Sequence, residues 1–459
     1  MKEFVGYHSE WNLGSPDGWD YQRVTQVIGK AVWERLQQIR PMPVELDFDH
    51  PLLFPIHGFV EMLLKALRDR CGATTGLIAV VAEEETLETV TENRNLAQHL
   101  NAVEGVDGVL CAPQELELQN GRVCWRGRPV SLIFMDFNTD VLLDLHRKYD
   151  LGPLLQAVSE NCVINPRGME PINVKSMFEV MTGPRAVRFH KTVVDRTPWT
   201  RQFYARRTEG PAGEAISDLL EWTREHWETL VLKPERGYSG KGVRVGGVHP
   251  DVDDAIALAL KKGHYIVQQK VPMDLWSEDI PVVNTQENAL ALEQCQTDFR
   301  CLMGPQGLLG FLGRFGGVPT NVGSGGGVQP LAVLRSDMPV SQAVRRINEA
   351  MVQMPVGDIL EVIDLQEKMA LENDFTYLLG PIRIALRPRV LTVDQLAALK
   401  QYGLDVWADC LALEKMWLSG ELDDIVDIEE EELNIARSQP WGGSPAIIAS
   451  DGLFGFNNL

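Results

Sequence analysis

The chain has no apolar run long enough to cross a bilayer, no CxxC pair and no excess of basic residues. Each absence removes a class of protein. Its seven cysteines, at 71, 111, 124, 162, 295, 301 and 410, are scattered. They form neither a disulfide framework nor a zinc knuckle, so a reducing compartment is expected. The opening MKEFVGYHSEW lacks a basic stretch followed by an apolar core, and a cytoplasmic location is the expectation. Lys plus Arg number 43 against 64 Asp plus Glu, a net charge of −21. Binding nucleic acid or an anionic membrane through counterion release needs the opposite sign. Any anion site must therefore be a local basic island. No Ser/His/Asp or Cys/His pattern suggests a covalent nucleophile either.

What is present is an ordinary globular composition, 44% hydrophobic and 23% charged over 459 residues, enough for two or three sizeable cores. Helical spacing in FPIHGFVEMLLKALRDRCG precedes a buried-strand run, GLIAVVAE. A helix (TENRNLAQHLNAV) and a second apolar run (VSLIFMDF) follow, the alternation of an α/β unit. VINP, TLVLKP, YIVQQKV, FRCLMG and LGFLGRF read as strands of one mixed sheet, with DVDDAIALALKKG as a helix among them. Beyond about residue 337 the pattern turns helical, most clearly in QLAALKQYGLDVWADCLALEKMWLSG. The expected division is an N-terminal α/β domain over 1–165, a nucleotide-binding domain over 166–335 and a mainly helical region over 336–459. The acidic run Glu429 to Glu432 reads as a solvated face.

One segment, LKPERGYSGKGVRVGG, sets Lys233 at the end of an apolar strand before a loop of small residues. Glycines let backbone approach a ligand closely, and loops with exposed N–H groups make anion-binding concavities. A Walker A loop needs Ser or Thr after GxxxxGK and then a helix; here Gly242 follows Lys241 and a β-branched run follows that. A dinucleotide fingerprint fails on the same run. What remains is a β-hairpin with a glycine tip, either one that folds over phosphates or a plain glycine-rich surface hairpin.

Several segments in order around this hairpin resemble the ATP-grasp enzymes. NVKSMFEVM carries Lys175; VLKP carries Lys233; the glycine loop, a helix, the strand YIVQQKV, then TDFR and GFLGRFGG follow. VINPRGMEPINVKSMFEVM, RTPWTRQF and GRFGGVPTNVGSGGGVQPL resemble, more narrowly, the circularly permuted ATP-grasp group related to glutathionylspermidine synthetase. The similarity spans roughly residues 50 to 335. It implies an α+β fold with nucleotide between two lobes, preceded by an α/β domain and followed by a helical region.

The resemblance also implies roles. Lys175 and Lys233 would meet the α- and β-phosphates. The loop Gly237, Tyr238, Ser239, Gly240, Lys241 and Gly242 would cradle the β- and γ-phosphates. Gln268 would meet the adenine amino group, backbone at Gln269, Lys270 and Val271 the ring edge, and Asp274 or Glu278 the ribose. Mg²⁺ would take oxygen ligands from Asp298 and from Glu10 and Asn12, the acidic-x-Asn pair of YHSEWNLG, with Asn321 in reserve. Arg300 and Arg314 carry the catalytic expectation, since a guanidinium fork suits a γ-phosphate, a carboxylate or an acyl-phosphate. The closing strand SDGLFGFNNL and the helix before it resemble elements that precede the Glu-x-Asn strand in permuted relatives. Here they come last, which leaves open a further permutation, a cut chain or a separate helical domain.

The reading is an ATP-dependent carboxylate–amine ligase that works through an acyl-phosphate and releases ADP. A small-molecule kinase and a non-catalytic nucleotide-binding scaffold are the alternatives. ATP and Mg²⁺ are the implied cofactors. The implied partners are a small carboxylate and an amine, whether amino acid, peptide or polyamine. No nucleic acid or membrane partner is expected, and a homo-oligomer is left open.

Overall fold

The computed structural model describes the chain apart from residues 1–3, 73, 238–239, 272–276, 285, 318–319, 321, 378–379 and 457–459. It opens with a strand, β1 (Phe4–Asn12), and a long helix, α1 (Trp19–Ile39). Helix α2 (Pro55–Cys71) follows, with Pro55 in its first turn and Gly72 closing it in left-handed backbone at φ 62°. Its Ile56, Phe59, Leu63, Ala66 and Leu67 recur every three or four residues and are fully buried. Each large member of that stripe contributes roughly 1.5–3 kcal/mol through loss of water contact. Strand β2 (Gly76–Val81), helix α3 (Thr91–Asn101), strand β3 (Val106–Cys111), the hairpin β4 (Leu116–Gln119) and β5 (Arg122–Trp125), and strand β6 (Arg128–Met135) come next. After helix α4 (Thr139–His146), the short strand β7 (Val163–Ile164) joins β6. Strands β3, β2, β6 and β7 lie parallel in that order. The near-continuous apolar run of β2 is what a strand covered on both faces requires.

The second sheet holds β8 (Thr200–Gln202), β9 (Leu230–Pro234), β10 (Arg244–Val245) and, after helix α5 (Val252–Lys262), β11 (Tyr265–Gln269). The order is β10-β9-β11-β8, all neighbours antiparallel. The third sheet contains β12 (Ser277–Asn284), β13 (Ala289–Gly304) and β14 (Gly307–Gly316). Helices α6 (Val340–Val352), α7 (Val356–Glu372), α8 (Val393–Leu418) and α9 (Glu430–Ser438) follow. Thr392 and Gln395 start α8 with a reciprocal capping box. The final strand, β15 (Ile448–Phe456), returns to the third sheet and lies between β1 and β13.

Most of the strands and helices named from the sequence are present. The single mixed sheet expected over residues 163–334 is instead divided: VINP joins the first sheet as β7, and the other strands named fall in the second and third sheets. Each of those two has its own apolar packing: Trp199, Leu230, Leu232, Ile256 and Val267 in one, and Phe299, Cys301 and Phe311 with α8 residues in the other. Hydrophobic pattern marks a strand but does not say which strand it pairs with. The sequence pattern does not mark helix α1. Its apolar positions Val24, Ile28, Val32 and Leu36 recur at helical spacing, but Gln22, Thr25 and Gln26 are buried among them and blur the stripe. Among the described residues no helix is long and apolar enough to cross a membrane.

Candidate functional site

The second and third sheets face each other across a cleft of about 410 Å³. One wall is the β9–β10 hairpin, with Val231 paired to Val245 and Leu232 to Arg244. Val231, Val245 and Val271 give this wall an apolar face suited to a flat ring. Lys233 sits half-buried at the end of β9. Its ammonium donates to Gln268 Oε1 at 2.8 Å and to the Ser9 carbonyl at 3.4 Å. Burial pushes Lys233 down to about 8, with Glu10 acting in the opposite direction and Lys175 reinforcing the fall. Gln268 donates its amide N–H to Thr200 at 3.0 Å, so protein groups engage both ends of the amide expected to meet adenine. Lys270 turns away to the Gly246 carbonyl at 2.9 Å, although it still borders the cleft with Gln269.

The described residues of the glycine loop border the cleft. Gly237 (φ 112°) and Gly242 (φ 79°) occupy backbone that L side chains avoid. Lys175 donates to the Gly237 carbonyl at 2.9 Å and pairs with Glu10 at 3.2 Å, tying the loop to β1. Gly237, Gly240 and Lys241 line the cleft. Tyr238, Ser239, Asp274 and Asn321 lie outside the described residues. At the loop's base, Arg236 donates to both carboxylate oxygens of Glu432 on α9, at 2.8 and 2.7 Å. The acidic run 429–432 is therefore not a wholly solvated face: Glu432 is buried as the loop's anchor, and its neighbours remain exposed.

The floor of the cleft comes from the third sheet, whose register fixes a row of charges. Asp298 stands opposite Arg314 across β13 and β14; Asp451 stands opposite Arg300 across β15 and β13, and opposite Glu10 across β15 and β1. Arg314 donates to Asp298 at 2.7 and 2.8 Å and reaches Asp451 at 3.2 Å. Arg300 forks onto Asp451 at 2.7 and 2.8 Å and pairs with Asp17 at its other end. The result is an alternating chain, Asp17–Arg300–Asp451–Arg314–Asp298, with Thr320 closing it onto Asp298 at 2.7 Å. Burial would raise the Asp451 carboxyl, but Arg300 and Arg314 hold it well below the usual carboxylate range. Burial would lower Arg314, but Asp298 and Asp451 hold it well above its ordinary value.

The expected residues are thus distributed as follows. Glu10, Lys175, Lys233, Gly237, Gly240, Lys241, Gln268 to Val271, Asp298 and Arg314 border one cleft. Gly242 adjoins it, its carbonyl accepting from the Tyr265 hydroxyl at 3.1 Å. Glu278 does not reach the cleft; it is held by Arg387 at 2.6 Å and Arg389 at 3.2 Å, so it is not available to a ribose there. Asn12 and Arg300 border a second cavity of about 200 Å³ on the far side of Arg314, which lines both.

Asp451 was missed by residue-level reading. Its signal was an acidic residue inside the closing apolar strand. Among the described residues no group of three or more His, Cys, Asp or Glu is gathered to hold a metal by itself. The oxygen donors Glu10, Asp298 and Asp451 nevertheless border the same cleft. Each is a hard oxygen donor, but the three are not gathered as one metal site, and Asp298 and Asp451 already accept from Arg314 and Arg300.

No family model and no curated protein matches the chain. Among solved structures, D-alanyl-alanine synthetase A of Vibrio cholerae aligns over 49% of this chain and 67% of its own, at 11% identity and a TM-score of 0.27. A Methylobacillus flagellatus chain provisionally named γ-glutamylcysteine synthetase aligns over 80% and 100%, at 13% identity and 0.31. A macrocyclase of Microcystis aeruginosa bound to its precursor peptide aligns over 63% and 84%, at 10% identity and 0.31. TM-scores of this size do not establish a common fold.

Proposed function

We propose that the protein is an ATP-dependent carboxylate–amine ligase of ATP-grasp type. The observation that carries this reading is the convergence on one cleft of Lys175, Lys233, the glycine loop and the β11 strand end, opposite Glu10, Asp298, Arg314 and Asp451. Val231, Val245 and Val271 supply the apolar surface for the adenine ring. Lys175, Lys233 and Lys241 supply the positive charge for a triphosphate in a chain that is otherwise acidic.

Mg²⁺ would come with the nucleotide, held chiefly by its phosphate oxygens with Glu10 and Asp298 beside it, and would neutralise charge on the phosphates. Arg314, which borders both cavities, stands where a phosphoryl group would pass from the nucleotide to a carboxylate in the second cavity. Its guanidinium suits both groups. Arg300 keeps Arg314's partner Asp451 in place and borders the second cavity. With no covalent nucleophile required, positioning and fixed charge carry the rate.

Calorimetry with ATP and Mg²⁺, on the intact chain and on a variant with the loop tip shortened, tests the nucleotide half. An ADP-release screen of carboxylates with and without amines tests the chemistry. ADP release that requires both acceptors supports the ligase. Release with a single acceptor would make it a kinase, and absence of ATP binding would remove both readings.

A further inference from the structure

The second cavity extends from Arg314 to the N-terminal parallel sheet and meets it at a specific point. Chain order runs from β2 outward to β3 on one side and then returns to β6 on the other, so the direction of winding reverses between β2 and β6. In open α/β sheets the crevice outside the carboxyl ends of such a strand pair is where ligands bind. Glu83 lies just beyond β2 and Asp136 just beyond β6. The two strand ends are joined by the Asp136 N–H donating to the Val81 carbonyl at 2.8 Å. Both side chains line the cavity.

The other acids around this cavity are already engaged. Asp17 is paired with Arg300, and Glu92 accepts from the backbone N–H groups of Gly18, Asp20 and Tyr21 at the start of α1. Among the described residues Asp136 accepts at one oxygen, from Asn93 at 2.5 Å. The Glu83 carboxylate has no hydrogen bond or ion pair among the described residues. The charge of Lys148 reaches Glu83 without pairing, while Glu85 and Asp140 add to its repulsion. Glu83 in turn repels Asp136. Two neighbouring carboxylates, partly withdrawn from water and lacking a cation, are costly unless something positive joins them. At the Arg314 end, Asn12 Nδ2 is a buried donor without a partner among the described residues. Tyr21, Leu312, Val328 and Ile382 supply apolar wall between the two ends.

We infer that this cavity binds a small aliphatic amine as its ammonium ion, with Glu83 and Asp136 as the counter-charges, and so selects the amine substrate. This rests on the ligase reading for the amine's role, though not for its binding. Burial, with Glu83 adding to it, raises the Asp136 carboxyl to about 7. A bound ammonium favours the ionised carboxylate and lowers that value again, so amine binding near neutral pH should release a proton from Asp136.

The test is saturation-transfer NMR with n-propylammonium chloride on the full chain. The isosteric n-propanol and propionate serve as controls, and ATP is titrated into the same samples. Propylammonium is expected to bind and both controls to fail. Glu83→Gln, Asp136→Asn and the double variant are expected to weaken propylammonium by about tenfold or more, the loss of a charge-assisted contact, with ATP binding unchanged. Glu83 is only partly buried, so Glu83→Gln keeps the test decisive if the change at Asp136 disturbs folding. Equal binding of propanol or propionate, or variants that bind propylammonium as the parent does, would overturn the inference. ATP that fails to bind a parent chain that still binds propylammonium would overturn the ligase reading and leave the amine cavity standing.

Discussion

Glu10 and Asp451 stand opposite each other on the first and last strands of the chain. Strands β1 and β15 thus pair at the floor of the cleft, so elements far apart in the sequence lie side by side in space. β15 fills the gap between β1 and β13, so β1 reaches the rest of the third sheet only through it.

Asp451 is the centre of the charge row, and the expected result of Asp451→Asn is a loss of about 3–5 kcal/mol in urea-unfolding free energy, the cost of breaking a buried ion pair. Its carboxyl is depressed in the folded state, so its contribution is present above the ordinary value of 3.8 and is lost as pH falls below it. The variant should accordingly lose less stability than the parent on acidification below about pH 4. Equal stability of the two chains at pH 7 would show that the arginines find other partners.

How much of this was legible beforehand differs by element. The hairpin around Lys233, the strand β11 and the helices α2, α3, α5 and α8 are local signals, a periodicity, a glycine loop or a lysine on a strand end, whereas Glu10, Lys175 and Asp298 were named only through the resemblance. Asp451 and Arg236 were not legible in the same way. Asp451 acquires meaning only from register against Arg300 and Glu10, and Arg236 only from Glu432, 196 residues away. Cross-strand register and long-range pairing are set by packing of whole sheets, which a single sequence does not display. Gln268 shows the converse. The resemblance named it for the nucleotide site, but its engagement by Lys233 and Thr200 depends on three strands lying side by side.

The loop gives a second expectation. A Cβ on Gly242 would lie 2.8 Å from the Tyr265 hydroxyl and 3.1 Å from Pro234 Cγ, whereas one on Gly237 would meet nothing within 4 Å. Both positions carry positive φ, so alanine strains each by about 1–2 kcal/mol. Only Gly242→Ala must also displace the strand end that carries Lys233. Its ATP affinity should fall well below that of Gly237→Ala by calorimetry, and equal affinities would remove the loop base from the phosphate site.

Glu92 acts as a cap supplied from another helix. Gly18, which precedes α1, has no side chain, and Glu92 accepts from the N–H groups of Gly18, Asp20 and Tyr21 at 2.7 to 2.9 Å. Glu92→Ala leaves these buried donors unpaired, at about 1–3 kcal/mol each where water does not replace the acceptor. Thermal unfolding should drop by several degrees at least, about 2–4 °C per kcal/mol for a domain of 150–250 residues. An unchanged midpoint would mean that α1 is held without the cap.

The last expectation concerns pH and the nucleotide. Burial lowers Lys233 to about 8 in the free protein, so it is an ammonium at pH 7 and largely neutral at pH 9. A bound triphosphate favours the ammonium and raises that value, so binding above pH 8 must take up a proton. Phosphate groups with a second pKa of about 6 are fully ionised there and do not mask the effect. ATP affinity should therefore fall between pH 7 and 9, approaching tenfold per unit at the upper end. Calorimetry at pH 8.5 in two buffers of different ionisation heat should reveal the proton uptake. Lys233→Met should lower affinity by about 10- to 100-fold at pH 7, the loss of a charge-assisted contact, and should also flatten the pH dependence. A variant that lost affinity but kept the slope would assign the titration to another group, and a parent chain with no slope would remove Lys233 from contact with the phosphates.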